Sequence, residues 1–158
     1  MAGTAAALLV HAAACASTGT LDRQRFEGIR AAGQAIQASI GASEKLSRYQ
    51  ELLTSYGAEL SKLKGAATNR KEREVVAQYD ALYAQFQDLR LVWEARTTRA
   101  AETDRLPLSD PLSERLAKQY SLPVNTNEPP SIYATEALNA IWTDAKASLE
   151  RANAAVQP

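Results

Sequence analysis

Apolar residues recur at helical spacing along most of the chain, and the most regular run lies between Val75 and Trp93. Steps of four and three residues separate its members, which is the seam of a helix that packs against other helices. The seam consists of Val75, Tyr79, Leu82, Phe86, Leu89 and Trp93, and a second row of Val76, Tyr83 and Val92 widens it. The pattern predicts a long central helix from about residue 70 to about residue 101.

Two shorter seams of the same kind precede this helix. The first consists of Phe26, Ile29, Gly33, Ile36 and Ile40, and the second of Leu46, Tyr49, Leu53, Tyr56, Leu60 and Leu63. The short connections between the three seams favour antiparallel neighbours in an up-down-up arrangement.

Capping residues set the expected helix ends. We expect the first helix to begin near Asp22 and to end at Gly41. The second helix should begin at Ser47, which has capping-box spacing to Gln50, or earlier at Ser43. It should end at Gly65, and Asn69 with Glu72 forms a capping box for the central helix.

The last third of the chain is more broken. Residues 104–134 are expected to form a linker with a short helix, capped by Asp110 with Pro111 in its first turn and stopped by Pro123. Leu112, Leu116 and Tyr120 lie on its apolar face, and Val124 to Ser131 should be extended. A final helix over residues 135–158 starts at Thr135 and has the seam Leu138, Trp142, Ala145, Leu149, Ala152 and Val156, with Ile141 beside it. We expect Trp142 to anchor this helix on the other three.

The fold predicted is therefore all-α. An antiparallel three-helix bundle with a long central helix occupies residues 22–103, and a short and a longer helix form a C-terminal extension. The chain has 158 residues, 46% of them hydrophobic and 23% charged, which is typical of one globular domain with a core. β-branched residues are few and mostly isolated, which also favours helix.

Charge excludes one class of partner. Eighteen basic and eighteen acidic residues cancel, so the sequence predicts no nucleic-acid partner. One basic cluster, Lys62, Lys64, Arg70, Lys71 and Arg73, surrounds the second turn. This cluster either contacts phosphate or acidic lipid headgroups, or it is a solvated tip whose positive charge is reduced by Glu72 and Glu74. The sequence favours the second interpretation.

Little catalytic chemistry is expected. His11 and Cys15 are the only histidine and cysteine, so the chain after residue 15 has neither the usual general base nor a thiol nucleophile. The seams carry no Asp or Glu that would hold two metal ions between helices. We expect no catalytic residue, no cofactor and no metal site, and hence not an enzyme. Tyr49, Tyr56, Tyr79 and Tyr83 either line a ligand groove or pack in the core, and core packing is favoured.

Residues 1–15 read MAGTAAALLVHAAAC. The apolar run from Ala5 to Ala14 is too short to span a bilayer but fits the hydrophobic region of a secretory signal. Three small residues directly precede Cys15, and over these fifteen residues the chain resembles a bacterial lipoprotein signal. No basic residue precedes the run, which suggests a start codon further upstream. An ordinary cleaved signal and a cytosolic N-terminus are the alternatives.

The resemblance implies a cellular location. Residues 1–15 would be the signal, Cys15 would carry palmitate or a similar acyl group, and residues 16–21 would be a tether. The residue after Cys15 is Ala16 and not Asp, which is similar to the pattern of Gram-negative lipoproteins that are sent to the outer membrane. The resemblance therefore implies an outer-membrane protein that faces the periplasm.

Three functions follow as expectations. The first is a lipid-anchored envelope protein that acts as a non-catalytic binding or structural module for another envelope protein. The second is a soluble, secreted or cytosolic helical interaction module, as a monomer or a homodimer. The third, an enzyme or metal protein, requires carboxylates that converge in a pocket.

Overall fold

The computed structural model describes residues 20–41, 45–98 and 102–157, and within these ranges the chain is mostly helical. A 3-10 turn over Arg23–Phe26 leads into α1, Glu27–Gly41, which is followed by α2, Leu46–Ala66, and α3, Arg70–Thr98. The remaining elements are β1, Arg105–Pro107; α4, Pro111–Gln119; β2, Ser131–Tyr133; and α5, Ala134–Ala155. The helical class is as predicted, whereas β1 and β2 were not predicted.

Helices α1, α2 and α3 are antiparallel to one another in turn. Arg25, before α1, donates a hydrogen bond to the carbonyl of Ala66 at the end of α2 (2.9 Å). Between α2 and α3, Tyr49 bonds to the carbonyl of Phe86 (2.8 Å) and Tyr56 to the carbonyl of Tyr79 (3.1 Å), so residue numbers rise on one helix as they fall on the other.

Helix α5 is a fourth member of this arrangement rather than an extension. It packs along α3, where the Tyr79 hydroxyl donates to Asn153 (2.9 Å), and it also contacts α1, where Leu149 lies against Gly33. The three-helix bundle predicted from the sequence is therefore not confirmed as the complete arrangement, because the apolar faces of α1 and α3 are both covered by α5.

The seams predicted for α1, α2 and α3 supply most of the core. The buried members are Phe26, Ile29, Gly33 and Ile36 of the first seam, Tyr49, Leu53, Tyr56, Leu60 and Leu63 of the second, and Val75, Tyr79, Leu82, Phe86 and Leu89 of the third. Ile40, Leu46 and Trp93, at one end of each seam, are half-buried. The core therefore tapers toward the end of the bundle where these three residues lie.

The register predicted for α5 is wrong by one residue over its first half. The buried row begins with Ala137 and Ile141, while Leu138 and Trp142 are half-buried. Neighbouring residues differ by about 100° around a helix, so only one of the two rows can face α3. The row that faces inward carries small alanines, which let the helices approach closely, and this outweighs the greater apolar area of Trp142.

Asn69 and Asp110 act as the predicted caps, although the Glu72 carboxylate binds Thr68 and not the Asn69 N–H that a capping box requires. Asn69 Oδ1 accepts a hydrogen bond from the Glu72 backbone N–H (2.9 Å), and Asp110 Oδ1 accepts from Leu112 N–H (3.0 Å) at the start of α4. Asp22 occupies the cap position of the 3-10 turn, but its carboxylate pairs with Arg25 Nε (2.9 Å) instead of capping the backbone.

Helix α1 has Gly41 as its last residue, as predicted. Helix α2 begins at Leu46 after Lys45, so the predicted start at Ser47 is wrong, and the helix runs one residue beyond Gly65. Ser43, the alternative start, lies outside the described residues. Thr135 does not cap α5. Instead Asp104, from the preceding connection, accepts from Ala134 N–H through its carbonyl (2.9 Å) and from Thr135 N–H through Oδ2 (3.1 Å).

A small two-stranded sheet, with α4 in the connection between its strands, joins α3 to α5, and we call this sheet the hairpin. Strands β1 and β2 pair antiparallel with Leu106 opposite Ile132, and both of these side chains are buried. Asn125 exchanges two backbone hydrogen bonds with Ser131 on the outer side of β2. On the outer side of β1, Pro107 has no N–H and its carbonyl accepts from Asp110 N–H (3.1 Å). The outward backbone groups of Ser131 are therefore paired, and Pro107 offers no outward donor.

Candidate binding groove

A groove opens where the four long helices meet at one end of the bundle. It has a volume of about 390 Å³, within the range of small-ligand sites. Its lining comes from the end of α1, the start of α2, the end of α3 and the start of α5: Ile40, Tyr49, Leu89, Trp93, Arg96, Leu138, Asn139 and Trp142. The groove exists at this position because the three predicted seams taper here and because the α5 register turns Trp142 away from the core.

Two tryptophans, the only ones in the chain, dominate this lining. The ring of Trp93 packs on the buried ring of Tyr49 with centroids 5.7 Å apart. Trp142 approaches from α5 and is also half-buried. One part of each indole is thus held by the protein while another part stays accessible. Aromatic side chains in this state supply a large contact area at low entropic cost, and they are enriched at energetically dominant positions of interfaces.

Polar groups border the apolar floor. Arg96 lies with Nε 3.0 Å from Asp104 Oδ1, and Asn139 contributes an exposed amide. The Arg96–Asp104 pair links the end of α3 to the residue whose carbonyl and Oδ2 accept from the first N–H groups of α5. The arrangement suits an apolar or aromatic group from a partner, with hydrogen bonds at the border.

The tyrosines of the seams are core residues, as the sequence favoured. Tyr49, Tyr56 and Tyr79 are buried, and each hydroxyl donates to an oxygen of another helix. Burial raises the pKa of Tyr79 to about 12 and also raises the pKa of Tyr49 and Tyr56. None of the three ionises near neutral pH, so they do not supply a general base. Tyr83 is half-buried and stacks on Tyr56 with ring centroids 5.8 Å apart.

Two buried acidic side chains were not predicted, and the first is Asp88 of α3. It accepts a two-pronged contact from Arg115 (2.6 and 3.1 Å), a hydrogen bond from the Tyr120 hydroxyl (2.8 Å) and a longer one from Gln119 (3.3 Å). The Asp88 carboxylate in turn raises the pKa of Arg115. Because the donors satisfy both carboxylate oxygens, Asp88 fastens α4 to α3 and is not available for chemistry.

The second is Glu72, whose carboxylate lies in the turn between α2 and α3. It accepts hydrogen bonds from the backbone N–H of Thr68 (2.9 Å), the Thr68 hydroxyl (3.1 Å) and the backbone N–H of Asp22 (3.4 Å). The bond from the Thr68 backbone is the largest cause that lowers the pKa of Glu72. Asn69 Nδ2 also donates to the carbonyl of Thr20 (3.4 Å). The N-terminal residues of the described chain are thereby held against this turn.

A second groove of about 650 Å³ lies beside the hairpin. Its lining includes Pro107, Pro111 and Pro129 together with Arg105 and Ser131, and it contains no aromatic side chain. The Ser131 hydroxyl is buried without a hydrogen-bond partner among the described residues. Proline rings offer less contact area than indoles, so the groove between the helix ends is the stronger candidate for binding a partner.

Other predicted sites fall outside this geometry. Cys15, the proposed lipidation site, and His11 lie outside the described residues. Within the described ranges, no three His, Cys, Asp or Glu side chains converge as a metal-binding group. No helix of those ranges is long and apolar enough to cross a membrane.

Comparison of the chain with protein-family models, with curated proteins and with solved structures gives no match.

Proposed function

We propose that this chain is a lipid-anchored envelope protein and that it acts as a non-catalytic binding module. The acyl anchor is on Cys15, and the groove between the helix ends binds an apolar segment of another envelope protein. The observation that carries the binding role is the pair Trp93 and Trp142, both half-buried in one groove. The lipoprotein-like residues before Cys15 support the anchor.

The two sites would lie at opposite ends of the molecule. Thr20 contacts Asn69 just before α3, whereas Trp93 is near the end of α3. The 24 residues between Asn69 and Trp93 correspond to about 36 Å of helix. Cys15 is five residues before Thr20, which is at most about 17 Å of extended chain. In this proposal α1 to α3 form the up-down-up scaffold, and α5 completes the groove by adding Trp142.

A photo-crosslinking experiment in cells tests the binding role. Benzoylphenylalanine is placed at Asn139, on the border of the groove, and in a matched control at Ala154, exposed near the other end of the same helix. We expect a discrete adduct from position 139 that disappears when Trp93 and Trp142 are both changed to Ala, and none from position 154. Equal adducts from both positions, or none from either, would contradict the proposal.

The mass of the adduct separates the two expected functions. An adduct of this chain with a different protein supports the binding module, whereas an adduct of twice the mass of the uncrosslinked chain supports the homodimer of the alternative function. Palmitate labelling of cells that express the chain tests the anchor independently. Incorporation should occur in the unmodified chain and be lost in Cys15→Ser.

A further inference from the structure

Charge is unevenly distributed along the long axis, although the whole chain is neutral. Residues 22–25 and 62–74 contain seven basic and three acidic side chains, whereas residues 102–136 contain three basic and six acidic ones. The first set forms the end of the bundle at which the described chain begins, because Arg25 contacts Ala66 and Thr20 contacts Asn69. The second set includes the hairpin, which joins the end of α3 to the start of α5 at the opposite end of the bundle. We call the first set the basic end.

The basic side chains of this end are exposed: Arg23, Arg25, Lys62, Lys64, Arg70, Lys71 and Arg73. Four of them pair with exposed or half-exposed acids: Arg25 with Asp22, Lys62 with Glu59, Lys64 with Asp80 and Arg70 with Glu74. Exposed pairs of this kind are weak and exchange readily with other partners.

One acid and two cations at this end differ from the others in their contacts. Glu72 is buried and already accepts bonds from Thr68 and Asp22, so its charge is turned inward. Arg23 and Lys71 make no ion pair within the described parts of the chain. Seven exposed cations at this end therefore face four exposed or half-exposed acids, Asp22, Glu59, Glu74 and Asp80, so the charge presented to the outside is net positive.

Helix stability does not account for the three cations at the start of α3. Arg70, Lys71 and Arg73 lie in the first turn of α3, where the positive end of the helix dipole disfavours basic side chains. Acidic residues would stabilise this turn. An external surface of negative charge would compensate the repulsion, and the chain end that leads to Cys15 emerges beside the same turn.

We propose that the basic end rests on anionic lipid headgroups when the chain is tethered through Cys15. The tether keeps the basic end within a few residues of the surface, so a weak attraction suffices to orient the molecule. The bundle then stands with the tryptophan groove away from the lipid and accessible to a partner. This inference rests on the proposed lipid anchor.

The experiment uses two features of the sequence. Cys15 is the only thiol, so the full chain can be coupled to a maleimide lipid in preformed vesicles without cellular lipidation. Trp93 and Trp142 are the only tryptophans and lie at the end opposite Thr20, so energy transfer from tryptophan to a dansyl-labelled lipid reports how far that end is from the surface. Vesicles of phosphatidylcholine alone are compared with vesicles that also contain phosphatidylglycerol.

We expect less energy transfer from tryptophan to dansyl on the anionic vesicles than on phosphatidylcholine, because the tryptophan end is then held away from the surface. High salt should abolish this difference because it screens the attraction. The double variant Arg23→Glu with Lys71→Glu should restore transfer on anionic vesicles to the phosphatidylcholine level. A matched variant, Lys118→Glu with Lys146→Glu, changes net charge equally at exposed positions elsewhere and should behave as the unmodified chain.

Equal transfer on the two kinds of vesicle, or an equal response of the two double variants, would overturn the proposal. Circular dichroism of both variants ensures that they are compared in the folded state. The outcome is separable from that of the proposed function. If palmitate labelling fails in cells, the anchor is wrong, but the chemically coupled chain still shows whether the basic end prefers anionic lipid.

Discussion

Leu149 of α5 packs directly on Gly33 of α1, so closely that a Cβ atom built on Gly33 would lie 2.7 Å from Leu149 Cδ1. Both residues are buried. The sequence places Gly33 in the seam of the first helix, and the structure shows that α5 approaches closely at this position. This contact places α5 against the first helix as well as the third.

The first prediction concerns this contact. Gly33→Ala should lower the free energy of unfolding by about 1–3 kcal/mol, because the added methyl group overpacks a buried site. Urea denaturation monitored by circular dichroism measures the change. The matched control is Gly28→Ala, where the new Cβ would meet only the end of the flexible Glu59 side chain. That variant should be stabilised by about 0.5–1 kcal/mol, since alanine favours helix. If both variants shift in the same direction, close packing at Gly33 does not matter.

The second prediction concerns the attachment of α4. Asp88→Ala should destabilise the protein by about 2–3 kcal/mol, because Arg115, Tyr120 and Gln119 lose a buried charged acceptor. Hydrogen exchange should show the largest loss of protection in α4. Asp80→Ala, which removes an exposed partner of Lys64, should cost less than about 1 kcal/mol. Uniform loss of protection over all helices would show that Asp88 has no specific role in holding α4.

The third prediction is a pH dependence. The pKa of Glu72 is lower in the folded chain than in the unfolded chain, so its ionised form stabilises the fold above the unfolded carboxyl pKa of about 4.3. This contribution is lost as the pH falls through the lower folded-state pKa. Unfolding free energies of the unmodified chain and Glu72→Gln should therefore differ most near neutral pH and converge in acid. A difference that stays constant down to acidic pH would contradict this assignment.

The fourth prediction concerns alkaline pH. Because burial raises the pKa of Tyr79 to about 12, its phenol stabilises the fold below the unfolded tyrosine pKa of about 10, and stability falls as the pH rises through the folded value. Ultraviolet titration should show part of the tyrosine absorbance change only when the helices unfold. In Tyr79→Phe this delayed component should be smaller. Titration of all six tyrosines near pH 10 with the helices intact would be inconsistent with the buried hydroxyls.

The sequence predicts α1, α2 and α3 well because their apolar residues leave only one face that can be buried. Helix α5 is different, since Ile141 and Trp142 are adjacent and both rows are apolar. The choice between the two rows depends on how closely α3 approaches, and the spacing of residues along one helix contains no information about that distance. The groove follows from that choice and from where the helices end. Because periodicity contains neither, the sequence placed both tryptophans in the core.

Long-range contacts explain what else the sequence did not predict. Asp88 is buried by partners 27 to 32 residues further along the chain, and Glu72 binds the backbone of Asp22, 50 residues before it. Strands β1 and β2 are three residues each, too short for an alternating pattern, and one ends in proline. Only the folded arrangement brings these groups together.

The few free backbone groups at the hairpin edges have a consequence for self-assembly. Short ribbons with open donors and acceptors are templates onto which further strands add, and repetition of that step leads to fibrils. Here the outward backbone groups of Ser131 are already bonded to Asn125, and Pro107 has no N–H to donate from the outer side of β1. Crowding many copies on one surface should therefore not drive cross-β growth through this part of the chain.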